Sequence, residues 1–263
     1  MEPTRRAHVP PAAPLTEQAH VRAGVLGCPV DVVDMAQATQ RLVDLAERRD
    51  PVHARGGLVV TLNPEMVMRA RRDREFHDAL DDAALLVPDG VGVVRALRRR
   101  GFAGVNRVSG ADLLQEYLPR AAERGHRVAL AGAGPGVAVV AARRLRAQFR
   151  GLQIVCADAG GPGADLAERL AQARPDMVLA AFGAGPQELF LRRHLGEIGA
   201  GAGIGVGGTL DYIAGRVRRA PPLLRQIGVE WAWRLAIEPW RIRRQLQLPR
   251  YWVLERTEAR RPC

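Results

Sequence analysis

Six short apolar runs punctuate the chain: Gly57–Leu62, Ala83–Val87, Arg127–Ala131, Leu152–Ala157, Met177–Phe182 and Gly203–Val206. Between them lie longer stretches whose apolar positions recur every three or four residues: Asp34–Arg49, Pro64–Leu80, Gly90–Arg100, Ala111–Arg124, Val137–Phe149, Ala164–Ala173 and Gln187–Glu197. The short runs predict buried strands and the periodic stretches predict amphipathic helices. Continuous apolar strands separated by helices imply an α/β fold, a mostly parallel sheet with helices on both faces. Gly125, Gly151 and Arg174–Pro175–Asp176 stand where each helix must stop before the next strand.

The pattern changes past residue 215. Pro221–Pro222 can open a helix running to Glu238, and Pro239 can then be the first residue of a second one. On that second helix Arg241 and Arg244 are three apart and share a face. Arg234, seven before Arg241, points the same way if the two helices run on coaxially. The expected division is a disordered leader over residues 1–20, an α/β unit over 21–215 and a helical C-terminal appendage over 216–263.

Composition sharpens the reading of that appendage. All four tryptophans, Trp231, Trp233, Trp240 and Trp252, lie within it. It also holds 12 of the 39 basic residues, all arginine, against four glutamates, so it carries 12 − 4 = +8 of the formal +11. Tryptophan beside arginine suits a membrane–water boundary, and arginine forks onto phosphate or diphosphate. The basic residues do not alternate with aromatic ones across a sheet, which argues against nucleic acid. Leu223, Leu224 and Ile227 would serve lipid or a homo-oligomer interface equally well. The leader has no apolar core of a secretory signal, and no run of about 18 apolar residues spans a bilayer. A membrane role would therefore be peripheral. Three cysteines without a close pair point to a reducing compartment.

Ligands of open parallel sheets bind beyond the carboxyl ends of the strands. Thr61 and Asn63 fall at such an end, as does Asp89 in Pro88–Asp89–Gly90. That carboxylate could act as a base or bind sugar hydroxyls, or simply cap the following helix. Gly132–Ala133–Gly134–Pro135–Gly136 could let a diphosphate approach a helix start, or be an ordinary strand-to-helix turn. It also leaves open a soluble nucleotide-binding oxidoreductase, although its GxGxG spacing is not the dinucleotide fingerprint. Arg107 could pair with a phosphate or with Asp89. Ser109 or Asp112 caps the next helix. Gln187–Glu188 opens a helix after Gly183–Ala184–Gly185–Pro186, and Gly205, Gly207, Gly208 and Asp211 close the last strand. There is no DxD, no histidine pair at metal spacing, no GxSxG and no P-loop. No metal and no cofactor is expected.

Taken together, Thr61-Leu-Asn63-Pro-Glu, Val87-Pro-Asp89-Gly-Val-Gly-Val-Val, Arg107-Val-Ser-Gly-Ala-Asp112, Gln187-Glu188 and Gly205-Val-Gly-Gly-Thr-Leu-Asp211 occur in this order. Arg219-Ala-Pro221, Glu230-Trp231 and Glu238-Pro239-Trp-Arg241-Ile-Arg-Arg244 follow. The chain resembles the WecG/TagA/CpsF family of bacterial glycosyltransferases from about Val21 to about Tyr251. The resemblance implies a Rossmann-like core with a membrane-docking C-terminal appendage that completes the site. It implies an inverting, metal-independent transfer of a sugar, often ManNAc-type, from a UDP-sugar to a polyprenyl-diphosphate-linked acceptor. It places the enzyme in the cytoplasm, peripheral at the inner face of the cell membrane, in cell-surface polysaccharide synthesis. By position, Asp89 matches the catalytic base, and Thr61 and Asn63 match polar residues near it. Arg107 and Gln187 match pocket residues. Arg234, Arg241 and Arg244 match arginines that neutralise the UDP leaving group. One departure is visible: the family usually has Pro-Lys before the Gln-Glu pair, and here Gly185-Pro186 stands there.

Overall fold

The computed structural model describes residues 21–48, 56–221, 223, 224, 230–239, 242 and 246–258, with the Arg234 side chain excepted. The chain opens with an antiparallel hairpin, β1 (Arg22–Val25) and β2 (Cys28–Asp31). Then follow α1 (Met35–Glu47), β3 (Gly57–Leu62), α2 (Pro64–Ala70), α3 (Arg74–Asp81), β4 (Leu85–Pro88) and α4 (Val91–Arg99). The second half runs α5 (Gly110–Arg124), β5 (Arg127–Gly132), α6 (Val137–Gln148), β6 (Gln153–Asp158), α7 (Ala164–Ala173) and β7 (Met177–Ala181). It continues through α8 (Pro186–Ile198), β8 (Ala202–Gly205) and α9 (Thr209–Ile213). The C-terminal segment contributes α10 (Glu230–Ile237) and α11 (Leu248–Glu258).

β3 to β8 form one six-stranded parallel sheet in the order β4-β3-β8-β7-β5-β6. Apolar side chains on its two faces build two cores. This is the parallel-sheet α/β arrangement that the alternating pattern predicts and the Rossmann-like core that the resemblance implies, with each predicted strand recovered within about two residues.

Three local outcomes depart from the pattern. The hairpin was not anticipated: its strands are four residues each, and its turn residues Leu26 and Gly27 both take positive φ (52° and 86°). Such primed turns match the right-handed twist of paired strands. The predicted helix Pro64–Leu80 breaks in two, because Asp73 accepts the Phe76 N–H (3.1 Å) and so starts α3 anew. In the C-terminal segment, most of the second helix expected from Pro239 lies outside the described residues, whereas α11 was not foreseen.

α11 packs into the body of the protein. Tyr251 is fully buried with α2, α4 and the hairpin. Glu255 is also fully buried and pairs with Arg99 (2.7 Å) and Arg100 (3.2 Å) at the end of α4. Glu258 reaches Arg100 and accepts the Leu26 N–H (2.9 Å). Two arginines around one buried carboxylate supply the pairing that an isolated buried charge lacks.

Candidate active site

Strand register sets the position of Asp89. Leu62 of β3 lies beside Pro88 of β4, and the Asp89 N–H donates to the Leu62 carbonyl (2.9 Å). The Val108 N–H donates to the Pro88 carbonyl (3.0 Å), which draws the Arg107–Gly110 loop against the same turn. Gly90, at φ 93°, is the N-cap of α4, and no side chain caps that helix. Asp89 is therefore not a helix cap. Its carboxylate accepts the Gly110 N–H and opens onto a cavity of about 510 Å³.

The cavity sits at the carboxyl ends of β3, β4 and β8. Of the residues anticipated from sequence it gathers Thr61, Asn63, Asp89, Arg107 and Gln187. Asn63 doubles as the N-cap of α2, accepting the Met66 N–H (3.1 Å). The C-terminal segment closes part of the wall with Glu230 and Trp231 of α10 and Leu248 and Trp252 of α11.

Around Asp89 lies a mesh of opposite charges. The Arg107 guanidinium is 3.9 Å from Asp89, 4.0 Å from Asp112 and 3.1 Å from Glu230. Arg219 pairs with Asp112 (2.8 Å) and Glu230 (3.5 Å). Burial pushes the Asp89 carboxyl up from 3.8 to about 6, against the pull of Arg107 and the Gly110 N–H; Glu230 and Asp112 add to the rise. Asp89 keeps 27% of its side-chain surface open, and the cavity is what it opens onto. Burial also raises Asp112, but the Ser109 hydroxyl and Arg219 outweigh it and hold that carboxyl below its usual value. Two neighbouring carboxylates are thus driven apart in proton affinity, the arrangement that separates a base from a structural anion.

Across the cavity, Gln187 and Glu188 form a fixed polar unit. The Gln187 carboxamide donates to Glu188 (2.7 Å) and accepts the Gly207 N–H (3.0 Å), and Glu188 accepts the Gly185 N–H (2.6 Å). Gly185 holds φ 100°, and a methyl group there would overlap the Arg69 guanidinium. Arg69 donates to the Ala184 carbonyl (3.0 Å), so a cation supports this loop from α2. Burial raises the Glu188 carboxyl, opposed by its hydrogen bonds to Gln187 and Gly185.

Other anticipated residues stand apart. Gly132 and Gly134 do not line the cavity; β5 is three strands from β3, about 14 Å away at sheet spacing. Gly132 packs on the Phe182 ring, and Gly134 lies against the Arg216 guanidinium. Asp211 also lies outside the cavity wall, and its carbonyl accepts the Arg216 N–H (2.9 Å). Arg241, Arg244 and the Arg234 side chain are outside the described residues. Sequence reasoning gave no role to Glu230, Arg219 or Arg95. Only the Glu230-Trp231 and Arg219-Ala-Pro221 motifs hinted at the first two. Among the described residues, no group of three His, Cys, Asp or Glu side chains is placed to hold a metal ion.

Comparison with known proteins identifies the family. Residues 23–262 match the glycosyl transferase WecG/TagA/CpsF family. An N-acetylglucosaminyldiphosphoundecaprenol N-acetyl-beta-D-mannosaminyltransferase of Bacillus subtilis (strain 168) is 32% identical over 198 residues, 74% of this chain and 77% of its own. A protein of the same description from Bacillus spizizenii (strain ATCC 23059 / NRRL B-14472 / W23) is 32% identical over 199 residues, 75% of this chain and 77% of its own. The oxidoreductase alternative finds no support in these matches.

Proposed function

This chain belongs to the WecG/TagA/CpsF glycosyltransferase family and is a hexosyltransferase, and we propose that it moves an N-acetylmannosamine-type sugar from a UDP-sugar onto a polyprenyl-diphosphate-linked N-acetylglucosamine. The described relatives' activity supports this choice of acceptor and sugar. The single observation that carries the mechanism is Asp89, a half-buried carboxylate raised to about 6 in a cavity walled by Arg107 and the C-terminal segment.

Asp89 removes the proton from the acceptor hydroxyl as its oxygen attacks the anomeric carbon. The carbon–oxygen bond to UDP breaks on the opposite face, and the configuration inverts. A base titrating near 6 is ionised at neutral pH yet still binds a proton usefully. Thr61 and Asn63 orient the sugar hydroxyls beside it. Gln187, locked by Glu188 and Gly207, holds the donor side. Arg107 orients Asp89, and Arg234, Arg241 and Arg244 neutralise the charge growing on the diphosphate. The Gly132–Gly136 turn and Asp211 lie off the cavity and take no part in the transfer step.

The acceptor lipid confines the reaction to a membrane surface. No helix among the described residues is long and apolar enough to cross a membrane. Six of the eight exposed large hydrophobic side chains among the described residues, Leu223, Trp231, Ile237, Ile242, Leu246 and Val253, belong to the C-terminal segment. With the excess of arginine there, they suit shallow docking on anionic lipid at the inner face of the cell membrane.

A panel of UDP-sugars offered with a short-chain prenyl-diphosphate-linked N-acetylglucosamine tests the reading. UDP-N-acetylmannosamine should give a disaccharide product of inverted configuration with chelator present. Transfer from no UDP-sugar, or only after manganese or magnesium is added back, would refute it.

A further inference from the structure

The proposed reaction brings two diphosphates to one cavity, one on the donor and one on the acceptor. The arginines near that cavity differ in how far their charge is already compensated. Arg107 is faced by Asp89, Asp112 and Glu230, and Arg219 by Asp112 and Glu230. Arg95 differs from both. It is exposed on α4 and lines the same cavity, five residues past Gly90 and so about 8 Å along the helix axis. Its guanidinium lies 5.6 Å from the centre of the Trp252 ring. No carboxylate of the described residues stands within ion-pair distance of it.

We propose that Arg95 binds the diphosphate of the lipid-linked acceptor, an inference that rests on the reaction proposed above. A guanidinium stacked on an aromatic face is held in place while its N–H edge stays free to fork onto phosphate oxygens. The span along α4 matches the substrate. A hexose whose ring hydroxyl meets Asp89 carries its anomeric diphosphate across the ring, toward the Arg95 end of the helix. Trp252 and Leu248, one helical turn apart on α11, line the cavity there and offer apolar surface to the first prenyl units. The donor diphosphate has no such apolar tail to place.

The test uses the full-length chain and Arg95→Gln, which keeps an uncharged polar side chain of similar stem. Binding is measured by calorimetry without donor, using a water-soluble short-prenyl diphosphate-linked N-acetylglucosamine. The variant should bind it about tenfold more weakly, equivalent to about 1.4 kcal/mol. Its affinity for UDP, for the same glycoside lacking the diphosphate and for phosphatidylglycerol vesicles should be unchanged, and Arg95→Lys should recover part of the loss. Wild-type affinity of Arg95→Gln for the diphosphate acceptor, or a loss confined to UDP or to vesicles, would overturn the assignment. A wild-type chain that binds the acceptor but transfers no sugar would overturn the reaction and leave the role of Arg95 standing.

Discussion

Replacing Asp89 by Asn removes one proton site and leaves nearly the same shape. The Asn carbonyl can still accept the Gly110 N–H, and Arg107 keeps Glu230 at 3.1 Å. The native carboxyl titrates near 6 instead of 3.8. The folded protein therefore holds a proton that the unfolded chain has released between those values. Native stability is free of this cost below pH 3.8, declines as pH rises toward 6, and is flat above it. At about 1.36 kcal/mol per tenfold, the displacement is worth at most about 3 kcal/mol, less what the open side of the carboxylate recovers from water. Asp89→Asn should thus match wild type in urea unfolding at pH 4 and exceed it by about 1–3 kcal/mol at pH 8. At the same time its turnover should fall by about 10²–10⁴-fold. A variant less stable than wild type at pH 8, or equal at both pH values, would refute the claim that burial strains this carboxylate. Wild-type turnover would remove it as the base.

Further expectations follow from the same contacts. The kcat/KM profile of the wild type should show an acidic limb near pH 6, since Asp89 must be ionised to accept a proton. Glu230→Gln should move that limb to lower pH, because Glu230 is among the groups that raise Asp89; an unmoved limb would uncouple the two. Gly185→Ala should cost about 2 kcal/mol or more in a thermal melt, from its φ of 100° and the overlap with Arg69. Tyr251→Ala should cost about 3–5 kcal/mol by emptying a fully buried aromatic site. Tyr251→Phe should be neutral or stabilising, as the buried hydroxyl has no hydrogen-bond partner among the described residues.

What was legible in the sequence follows from range. Strand and helix positions of the core depend on local periodicity, so Gly57–Leu62 or Met177–Ala181 could be read directly. Asp89, Thr61 and Asn63 could be found because strand ends and turn residues mark themselves. Of the charge mesh only the Arg107–Asp89 pair could be anticipated, since Arg107 meets Glu230 across 123 positions and Arg219 meets Ser109 across 110. α11 was missed because only Tyr251 and Glu255 on it are fully buried, too few positions to make a periodic stripe. At the Gly132–Gly136 turn the sequence left phosphate contact and an ordinary strand-to-helix turn both open, and in the structure Gly132 gives room to the Phe182 ring and Gly134 to Arg216.

The docking of α11 also ties the shape of the cavity to the integrity of the core. Leu248 and Trp252 wall the reaction cavity, and Tyr251 beside them plugs the core between α2 and α4. One helix therefore fills the core and walls the pocket at once, so whatever loosens Tyr251 from its site also displaces Leu248 and Trp252 from the cavity.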